Sequence, residues 1–443
     1  MGTYIELPVD SVVFREDLYP RLSTNPVKVQ DYCLCLDALP PIEINQDNIL
    51  IDGWHRWTAH KKAATTTIKA AVTVTKNDAE IKEFAVIRNA IHGLQLSLGE
   101  KQAYARERYR ETPMNERGTQ KKQLAKMLSV RYETINNWLS RIDKDENEQR
   151  NATIFALWLS CHTQEEIAEA VGVTQRTISN VLEENERFKI LLEPGIFSEI
   201  KDDAEKEKSI IEHNRNNAEH RKDFTPPLYN IWKQQEKTPG ANHYGNSEIR
   251  WVDNLLYLYT QPFDVVVDPF AGSGSTIDIC KKRFRRYWVS DRKPIVEREK
   301  EIRKWDITEG LPPLSRWKDV KLVYLDPPYW KQAEGKYSND PDDLANMPLE
   351  QFNEILSGLI KSFSRKISDA YIALIIQPTQ WNAPERTFTD HIADMLRLVN
   401  LPVEMRYSVP YESQQCNAQM VEWAKTNKRC LVLTREIIVW QVL

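Results

Sequence analysis

Short apolar runs alternate with helical stretches over the C-terminal half of the chain. Four apolar runs predict buried strands, at 265–267, 287–290, 322–325 and 371–376. Apolar residues spaced three and four apart predict helices at 277–284, 352–363 and 391–398. The last apolar runs, 431–433 and 437–440, predict a terminal hairpin. Strands that alternate with helices predict an α/β domain with a largely parallel sheet over 226–443.

The first 98 residues carry shorter strand signals. The segments 42–44 and 49–51 predict a hairpin, and 72–75 predicts another strand. A helix is predicted over 53–61, and Asn25-Pro26 marks a turn. These elements predict an α+β domain over 1–98.

Two helix-turn-helix patterns, at 121–141 and 163–182, lie in an all-α region predicted over 99–190. Their apolar positions match at an offset of 43 residues, which by itself reports only a small helical core. Thr163 and Glu166 have the spacing of a capping box at the start of the second pattern. The charged and weakly apolar stretch 191–225 predicts a linker.

Polar residues on the second helix of each pattern predict contact with DNA, because such side chains read base edges in the major groove. The candidates are Arg131, Tyr132, Thr134, Asn136 and Asn137 in the first pattern, and Gln175, Arg176 and Thr177 in the second. Over 99–141, ten Lys/Arg against five Glu give a net charge of +5. Over 163–189, three Lys/Arg against six Glu give −3, so a structural or dimerising helix pair is the alternative for the second pattern.

The composition is that of an ordinary globular chain. Its 443 residues are 41% hydrophobic and 28% charged, which predicts two or three domains. The net charge of −4 by itself argues against a nucleic-acid partner, but the local distribution of charge matters more. No apolar run can cross a bilayer and no signal-peptide pattern is present, so a cytoplasmic protein without a membrane partner is expected. The six scattered cysteines lack zinc-site spacing, so no metal is expected.

An acidic corner, Asp326-Pro327-Pro328-Tyr329, follows the predicted strand 322–325. In open α/β sheets, ligands bind at the carboxyl ends of the strands. Prolines cannot donate hydrogen bonds, so the corner offers the Asp326 carboxylate and the Asp326 and Pro327 carbonyls as acceptors. Two acceptors can hold both N–H groups of an exocyclic amine, while the Tyr329 ring can stack on a base that has left the duplex.

A glycine loop, Asp268 to Thr276, follows the predicted strand 265–267. Gly272 and Gly274 would let a ligand approach the backbone, and Asp291 at the end of the next strand can hold ribose hydroxyls. The loop lacks the Gly-Lys-Ser/Thr of a P-loop, so a triphosphate is not the predicted ligand.

These two motifs resemble the DPPY motif and motif I of amino-directed DNA methyltransferases. The resemblance implies a Rossmann-like sheet, S-adenosylmethionine as cofactor, and direct methyl transfer, to adenine N6 in preference to cytosine N4. It implies a catalytic set of Asp326, Pro327, Pro328 and Tyr329. It implies a cofactor-binding set of Tyr229, Asn230, Asp268, Pro269, Phe270, Gly272, Gly274, Asp291 and Asp306. Tyr229 and Asn230 of that set lie in the segment 225–232, which corresponds to motif X. Asp306 is expected on a third strand, where it would contact the adenine amine.

The order of the motifs along the chain leaves the subclass open. Along the chain, motif X comes first, motif I second and motif IV, which is the acidic corner, third. The motif I sequence found here, Asp-Pro-Phe-Ala-Gly-Ser-Gly, is commonest in the group of methyltransferases with the opposite order. No large target-recognition domain fits between the glycine loop and Asp326. The helix-turn-helix patterns are therefore expected to find or grip the DNA.

The N-terminal segment resembles the ParB/sulfiredoxin-like domain through Asn25-Pro26, Pro41-Ile42 and the sequence Asp-Gly-Trp-His-Arg-Trp at 52–57. In that family the Gly/Arg loop often cradles nucleotide phosphates, which implies a nucleotide at Gly53 to Arg56. Trp54-His55 stands where partition proteins carry Glu-Arg, so a docking or dimerising module is the alternative.

The sequence as a whole predicts a sequence-specific DNA methyltransferase whose partner is double-stranded DNA. The alternative is a ParB-like, nucleotide-gated DNA-binding regulator with a vestigial methyltransferase half. The sequence leaves open both homodimerisation and a restriction-modification partner.

Overall fold

The computed structural model describes residues 4–91, 96–233, 248–381, 387–410 and 418–443. Contacts within the chain separate two compact units, Met1–Asn147 and Glu148–Leu443. The division into four parts at 98, 190 and 225 remains a prediction. Among the described residues, none of the helices combines the length and apolar character needed to cross a membrane.

The first unit begins with an α+β part. Its elements are β1 (Tyr4–Pro8), α1 (Pro26–Cys33), β2 (Ile42–Ile44), β3 (Leu50–Asp52), α2 (Trp54–Lys62), β4 (Thr67–Val72) and α3 (Asp78–Ile91). The sheet order is β1-β4-β2-β3, with β2 parallel to β4 and the other neighbours antiparallel. The predicted hairpin and the helix after Gly53 are confirmed.

The strand predicted at 72–75 is wrong in position, because β4 ends at Val72. Ile68 and Ala70 of β4 are 4% and 0% exposed, whereas Val72 and Val74 are 42% and 77% exposed. The later alternation of apolar residues therefore faces solvent. A period of two identifies an extended segment without saying which residues of it are buried.

The helical elements form the two predicted helix-turn-helix pairs. They are α4 (Leu98–Glu111), α5 (Arg117–Met127), α6 (Tyr132–Leu159), α7 (Gln164–Val171), α8 (Gln175–Val181) and α9 (Asp203–Ala218). Ser129 and Gly172, at φ 50° and 71°, make the left-handed turns after α5 and α7. Thr163 and Glu166 form the predicted capping box, with backbone-to-side-chain bonds of 2.8 and 3.2 Å. Helix α6 runs on for 28 residues because neither Gly nor Pro interrupts it.

The second unit contains a seven-stranded sheet in the order β12-β13-β9-β8-β5-β6-β7. Its strands and helices are α10 (Ile249–Tyr259), β5 (Val265–Asp268), α11 (Ser275–Lys282), β6 (Arg286–Asp291), β7 (Arg303–Lys304), β8 (Val320–Leu325), α12 (Leu349–Ser364), β9 (Ala370–Ile376), β10 (Thr379–Trp381), β11 (Thr387–Thr389), α13 (His391–Leu398), β12 (Val403–Ser408), α14 (Ala418–Thr426) and β13 (Glu436–Val442). The strands from β9 to β7 are parallel, and β13 is antiparallel to both β9 and β12. The predicted α/β fold class is confirmed.

Helices cover both faces of this sheet. Residues of α10 and α11 share a core with Val266 of β5, whereas residues of α12 and α13 share a second core with Val265 and Val267. The inner strands are buried on both faces, so they read as continuous apolar runs in the sequence. Because β5, β6 and β8 are parallel, their carboxyl ends meet at one edge of the sheet.

The predicted terminal hairpin is wrong in one strand. Residues 431–433 have no regular structure, and β13 pairs instead with β12 and β9. Because β13 already has a neighbour on each side, the sheet leaves no position beside it for 431–433.

The end of α6 and the second helix-turn-helix pair belong to the core of the sheet domain, because Ile167, Ile178 and Leu182 share a buried cluster with the sheet residues. Phe155 and Trp158, near the end of α6, contact Phe263 and Phe284 at ring-centroid distances of 5.5 to 6.4 Å. Arg303 Nη2 donates to the backbone carbonyl of Ser160 at 2.6 Å. Phe263 and Phe284 lie just before β5 and β6, so this contact is at the amino-end edge of the sheet.

We expect Phe155→Ala to lower the free energy of unfolding of the second unit by about 3–5 kcal/mol, because it leaves a cavity among packed aromatic rings. Phe155 is 0% exposed. Chemical denaturation followed by circular dichroism measures the change. Tyr132→Ala, at the exposed start of the same helix, is the control and should change stability by less than about 0.5 kcal/mol. Equal effects of the two substitutions would contradict the described packing.

Candidate active site

A pocket of about 280 Å³ opens at the carboxyl ends of β5, β6 and β8. Eight residues of the predicted catalytic and cofactor sets line it: Asp268, Pro269, Phe270, Gly272, Asp291, Asp306, Asp326 and Pro328. The structure therefore brings the glycine loop and the acidic corner to one cavity, although 54 residues separate Gly272 from Asp326 in the sequence. Pro327 and Tyr329 are sequence neighbours of lining residues but do not themselves line the pocket.

The glycine loop is folded around the buried carboxylate of Asp268. Asp268 is 1% exposed and accepts hydrogen bonds from the Phe270 backbone N–H at 2.9 Å and the Thr276 hydroxyl at 2.6 Å. Gly272 has φ +51°, and a Cβ there would meet no atom closer than 4.0 Å. The backbone at Gly272 is thus open to a ligand, as expected for a loop that a cofactor approaches closely.

Gly274 has a different role from the predicted one. It lies outside the pocket lining, at φ +81°, and a Cβ there would stand 2.8 Å from Arg298 Nη1. Its carbonyl accepts a hydrogen bond from the same guanidinium at 2.8 Å. Gly274 therefore starts α11 and leaves room for Arg298 instead of contacting the cavity.

Two acidic residues at the ends of neighbouring strands bind the loops around the pocket. Asp291 accepts hydrogen bonds from the backbone N–H groups of Gly272 at 3.1 Å and Lys293 at 2.8 Å. Asp306 accepts two from Thr308, and its second oxygen lies 3.0 Å from Arg292 Nε. Asp306 is not on a strand as predicted, because β7 ends at Lys304 and Asp306 caps a short 3-10 helix.

The acidic corner has an internal hydrogen bond that the sequence did not reveal. The Tyr329 hydroxyl donates to Asp326 Oδ1 at 3.3 Å. Asp326 and Tyr329 are partly exposed, whereas Pro327 is buried. The bond fixes the ring of Tyr329 beside the carboxylate of Asp326, which lines the pocket.

Three carboxylates make the interior of the pocket suited to a cation. Burial, with a smaller contribution from the negative charges of Asp326 and Asp291, raises the pKa of Asp268 to about 7. Among the described residues, no group of three or more His, Cys, Asp or Glu side chains is arranged to hold a metal ion. A positively charged organic ligand suits these three carboxylates, because it would offset the repulsion between them.

Several pocket residues were missed by sequence reasoning. The loop between Trp330 and Leu349 contributes six of them: Lys336, Tyr337, Ser338, Asp342, Asp343 and Leu344. Arg292 joins this loop to the rest of the rim, because its guanidinium lies 2.9 Å from Asp340 as well as 3.0 Å from Asp306. The position of Arg292 directly after Asp291 was the signal that could have identified it.

The structure places Tyr229 and Asn230 away from the pocket. Tyr229 is 79% exposed, and Asn230 Nδ2 donates to the Arg406 carbonyl at 3.1 Å. The backbone of this segment pairs with Ser408 of β12, at the far edge of the sheet. Four strand spacings separate β12 from β5, a distance of about 19 Å. The expected motif X contact is therefore not met by these two residues.

The candidate DNA-reading residues lie on exposed helix faces. In α6 and the turn before it, Arg131, Tyr132, Asn136 and Asn137 are exposed and Thr134 is half-buried. Asn136 accepts a hydrogen bond from Lys121 Nζ at 2.9 Å. Their contact with DNA remains a prediction.

In the second pair, Gln175 and Arg176 of α8 are exposed and Thr177 is half-buried. Gln175 donates to Glu165 Oε1 at 2.8 Å. This pair packs at the amino-end edge of the sheet, opposite the edge that carries the pocket. The strands between the two edges span about 15–20 Å.

Comparison with known families supports the interpretation of the second unit. A family model described as DNA methylase matches residues 102–297. The match contains the glycine loop and both helix-turn-helix pairs, and it ends before Asp326. The acidic corner is therefore assigned from its geometry. No curated protein matches the chain.

Solved structures resemble different parts of the chain. ParB from Caulobacter crescentus, complexed to the centromeric parS site, is 16% identical, with 47% of this chain and 91% of that chain covered and a TM-score of 0.23. Sulfiredoxin from Arabidopsis thaliana is 21% identical over 17% of this chain and 88% of that chain, with a TM-score of 0.15. A SAM-dependent methyltransferase from Archaeoglobus fulgidus is 15% identical over 44% of this chain and 94% of that chain, with a TM-score of 0.27. All three TM-scores are below 0.5, so the assignment of the fold rests on the strand order and the sequence motifs and not on these structures.

The doubly covered sheet, the open glycine loop and the acidic pocket at its carboxyl edge define an S-adenosylmethionine-dependent methyltransferase. Within that class, residues 102–297 match the family model described as DNA methylase. The predicted cofactor is thereby confirmed.

The raised pKa of Asp268 predicts how cofactor binding depends on pH. Below about pH 7 the carboxyl group holds a proton, and a cation favours its charged form, so affinity should rise from about pH 5 to pH 7 and then level off. Titration calorimetry with S-adenosylmethionine measures the slope.

S-adenosylhomocysteine is the matched control, because it lacks the sulfonium charge and should show a weaker dependence. Asp268→Asn should remove most of the slope. Identical slopes for the two ligands would show that the buried carboxylate does not sense the sulfonium.

Proposed function

We propose that the protein is a sequence-specific DNA methyltransferase that acts on the exocyclic amine of a base flipped out of the duplex. S-adenosylmethionine supplies the electrophilic methyl group. The observation that carries the proposal is that Gly272 and Asp326 line the same pocket. One part of that pocket suits the cofactor and the other suits an amine.

The acidic corner holds and orients the amine. The carboxylate of Asp326 and the carbonyl of Pro327 accept its two N–H groups, which draws the nitrogen lone pair out of conjugation. The ring of Tyr329, fixed by its bond to Asp326, provides a stacking surface for the base. No covalent intermediate is required, so catalysis consists of positioning. Adenine N6 is favoured over cytosine N4 because Asp opens the motif.

Around the cofactor, the carboxylate of Asp291 accepts hydrogen bonds from ribose hydroxyls. Asp306 offers an acceptor to the adenine amine, in competition with Arg292. Pro269 and Phe270 line the same wall and supply apolar contact. Gly272 lets the backbone approach the ligand.

Recognition of double-stranded DNA falls mainly to the first helix-turn-helix pair. Its surroundings are basic, whereas the second pair carries net negative charge and lies at the sheet edge opposite the pocket. The second pair then serves chiefly to support the sheet domain. Contact of Gln175, Arg176 and Thr177 with DNA remains a prediction.

The ParB-like part offers a second ligand site in this proposal. Gly53 is at φ +102°, and a Cβ there would clash with Ile42 and Arg56 at 2.7 to 2.9 Å. Arg56 pairs with Asp52 at 2.9 Å, and burial lowers the pKa of His55 to about 4. The loop is thus compact and carries one cation at a helix start, which suits a nucleotide phosphate. Trp57 is buried and donates to the Val9 carbonyl, so it serves the core.

We expect Asp326→Ala to lower methyl transfer to DNA by about 100-fold or more, because the amine loses one of its two acceptors. Transfer of tritiated methyl groups measures the rate, and calorimetry should show that the variant still binds S-adenosylmethionine.

Asp369→Ala is the control for the loss of a surface carboxylate, since its side chain is 93% exposed. It should transfer methyl groups like the wild type. Full activity of Asp326→Ala would refute the assigned role.

The double substitution Arg131→Ala with Asn137→Ala should weaken DNA binding by about 10-fold or more, because both side chains are exposed on the reading helix of the basic pair. The matched double substitution Gln175→Ala with Arg176→Ala should change affinity by less than about threefold. Fluorescence anisotropy with duplex DNA at constant salt compares them. The reverse ranking would assign recognition to the second pair.

A further inference from the structure

A buried polar cluster lies directly behind the acidic corner. Thr379 and His391 are each 1% exposed. The Thr379 hydroxyl donates to the backbone carbonyl of Trp330 at 3.1 Å. The same oxygen lies 3.1 Å from Gln332 Nε2 and 3.0 Å from His391 Nε2. Two side chains and one backbone carbonyl thus meet at one hydroxyl group.

One arrangement of the hydrogen bonds in this cluster satisfies all three contacts of the Thr379 hydroxyl at once. A hydroxyl group has one proton and two lone pairs, and the proton of Thr379 is directed at Trp330. Both nitrogens must therefore donate, which places a proton on His391 Nε2. Burial lowers the pKa of His391 to about 4, so the ring is neutral near pH 7. The hydroxyl group of Thr379 is saturated as a result.

Trp330 is the anchor that the cluster secures. Besides its carbonyl bond to Thr379, its indole Nε1 donates to the Met347 carbonyl at 2.9 Å. Its ring meets the edge of the His391 ring at 5.5 Å and 70°. These contacts hold Trp330 at its backbone, its indole nitrogen and its ring.

The catalytic segment depends on this anchor for its shape. Asp326 to Tyr329 have no regular structure, so strand β8 fixes one end and Trp330 fixes the other. The Pro327 carbonyl and the Tyr329 ring lie between the two fixed ends. A small displacement of Trp330 would move both groups relative to the pocket, and displacements of about 1 Å can cost 100-fold in rate.

We propose that Thr379, with His391 and Gln332 as its supports, is a positioning residue that sets the geometry of the amine-binding corner. The inference rests on the proposed methyl transfer. Neither Thr379 nor His391 lines the pocket, so the cluster acts through Trp330 and leaves the cofactor wall unchanged.

The test compares Thr379→Val, which removes the hydroxyl at nearly constant volume, with Thr379→Ser, which keeps it. Single-turnover transfer of tritiated methyl groups to DNA should fall by about 10- to 100-fold in Thr379→Val and by less than about threefold in Thr379→Ser. The dissociation constant for S-adenosylmethionine should stay within about twofold in both. A purely structural role would instead lower cofactor binding and the folded fraction together with the rate.

A second pair of variants covers the case in which Thr379→Val does not fold. His391→Phe keeps a flat ring but loses the donor, and His391→Gln keeps a donor, so only His391→Phe should lose rate. An unchanged rate in Thr379→Val or His391→Phe would overturn the inference while the methyltransferase assignment stands. A wild-type protein that methylates no DNA would instead refute the proposed function, and the inference with it.

Discussion

The parallel pairing of β5 with β8 is the constraint on which the site depends. The ladder places Val265 opposite Val320 and Val267 opposite Val323, so both strands run in the same direction and end at one edge. The glycine loop leaves β5 at that edge, and the acidic corner leaves β8 there. Parallel strands need a long crossover connection, which explains how residues distant in sequence become neighbours across one cavity.

Hydrogen bonds between loops, more than regular structure, hold the site in shape. The backbone of Ala271 donates to Ser290 at 2.9 Å, and that of Gly272 donates to Asp291. Tyr329 is bonded to Asp326, and Trp330 is held from behind by Thr379. The glycine loop is thus tied to the end of β6, and the acidic corner is held by its own hydrogen bond and by Trp330. A bound cation would offset the repulsion between the carboxylates, so their arrangement favours a positively charged ligand.

The sequence predicted the parts of the site that are encoded locally. Asp268, Asp291 and Asp326 each follow a predicted apolar strand directly, Gly272 lies in the loop that begins at Asp268, and strand ends in a parallel sheet share one edge. Tyr229 and Asn230 were misplaced because local sequence does not tell which edge of a sheet a flanking segment joins. Long-range contacts were beyond prediction for the same reason. Thr379 and His391 lie 49 and 61 residues after Trp330 and carry no recognisable motif. The strand at 72–75 failed because an extended pattern continued beyond the buried part of β4.

In the proposed function one pocket joins a methyl donor to a base amine, and the modified base itself is the most direct readout of that arrangement. Single-molecule sequencing of DNA from cells that express the protein detects the base and its surrounding sequence together. We expect N6-methyladenine in a single recurring sequence, absent from cells that express the Asp326→Ala variant. DNA without any methylated amine, or with the same marks in both cultures, would contradict it.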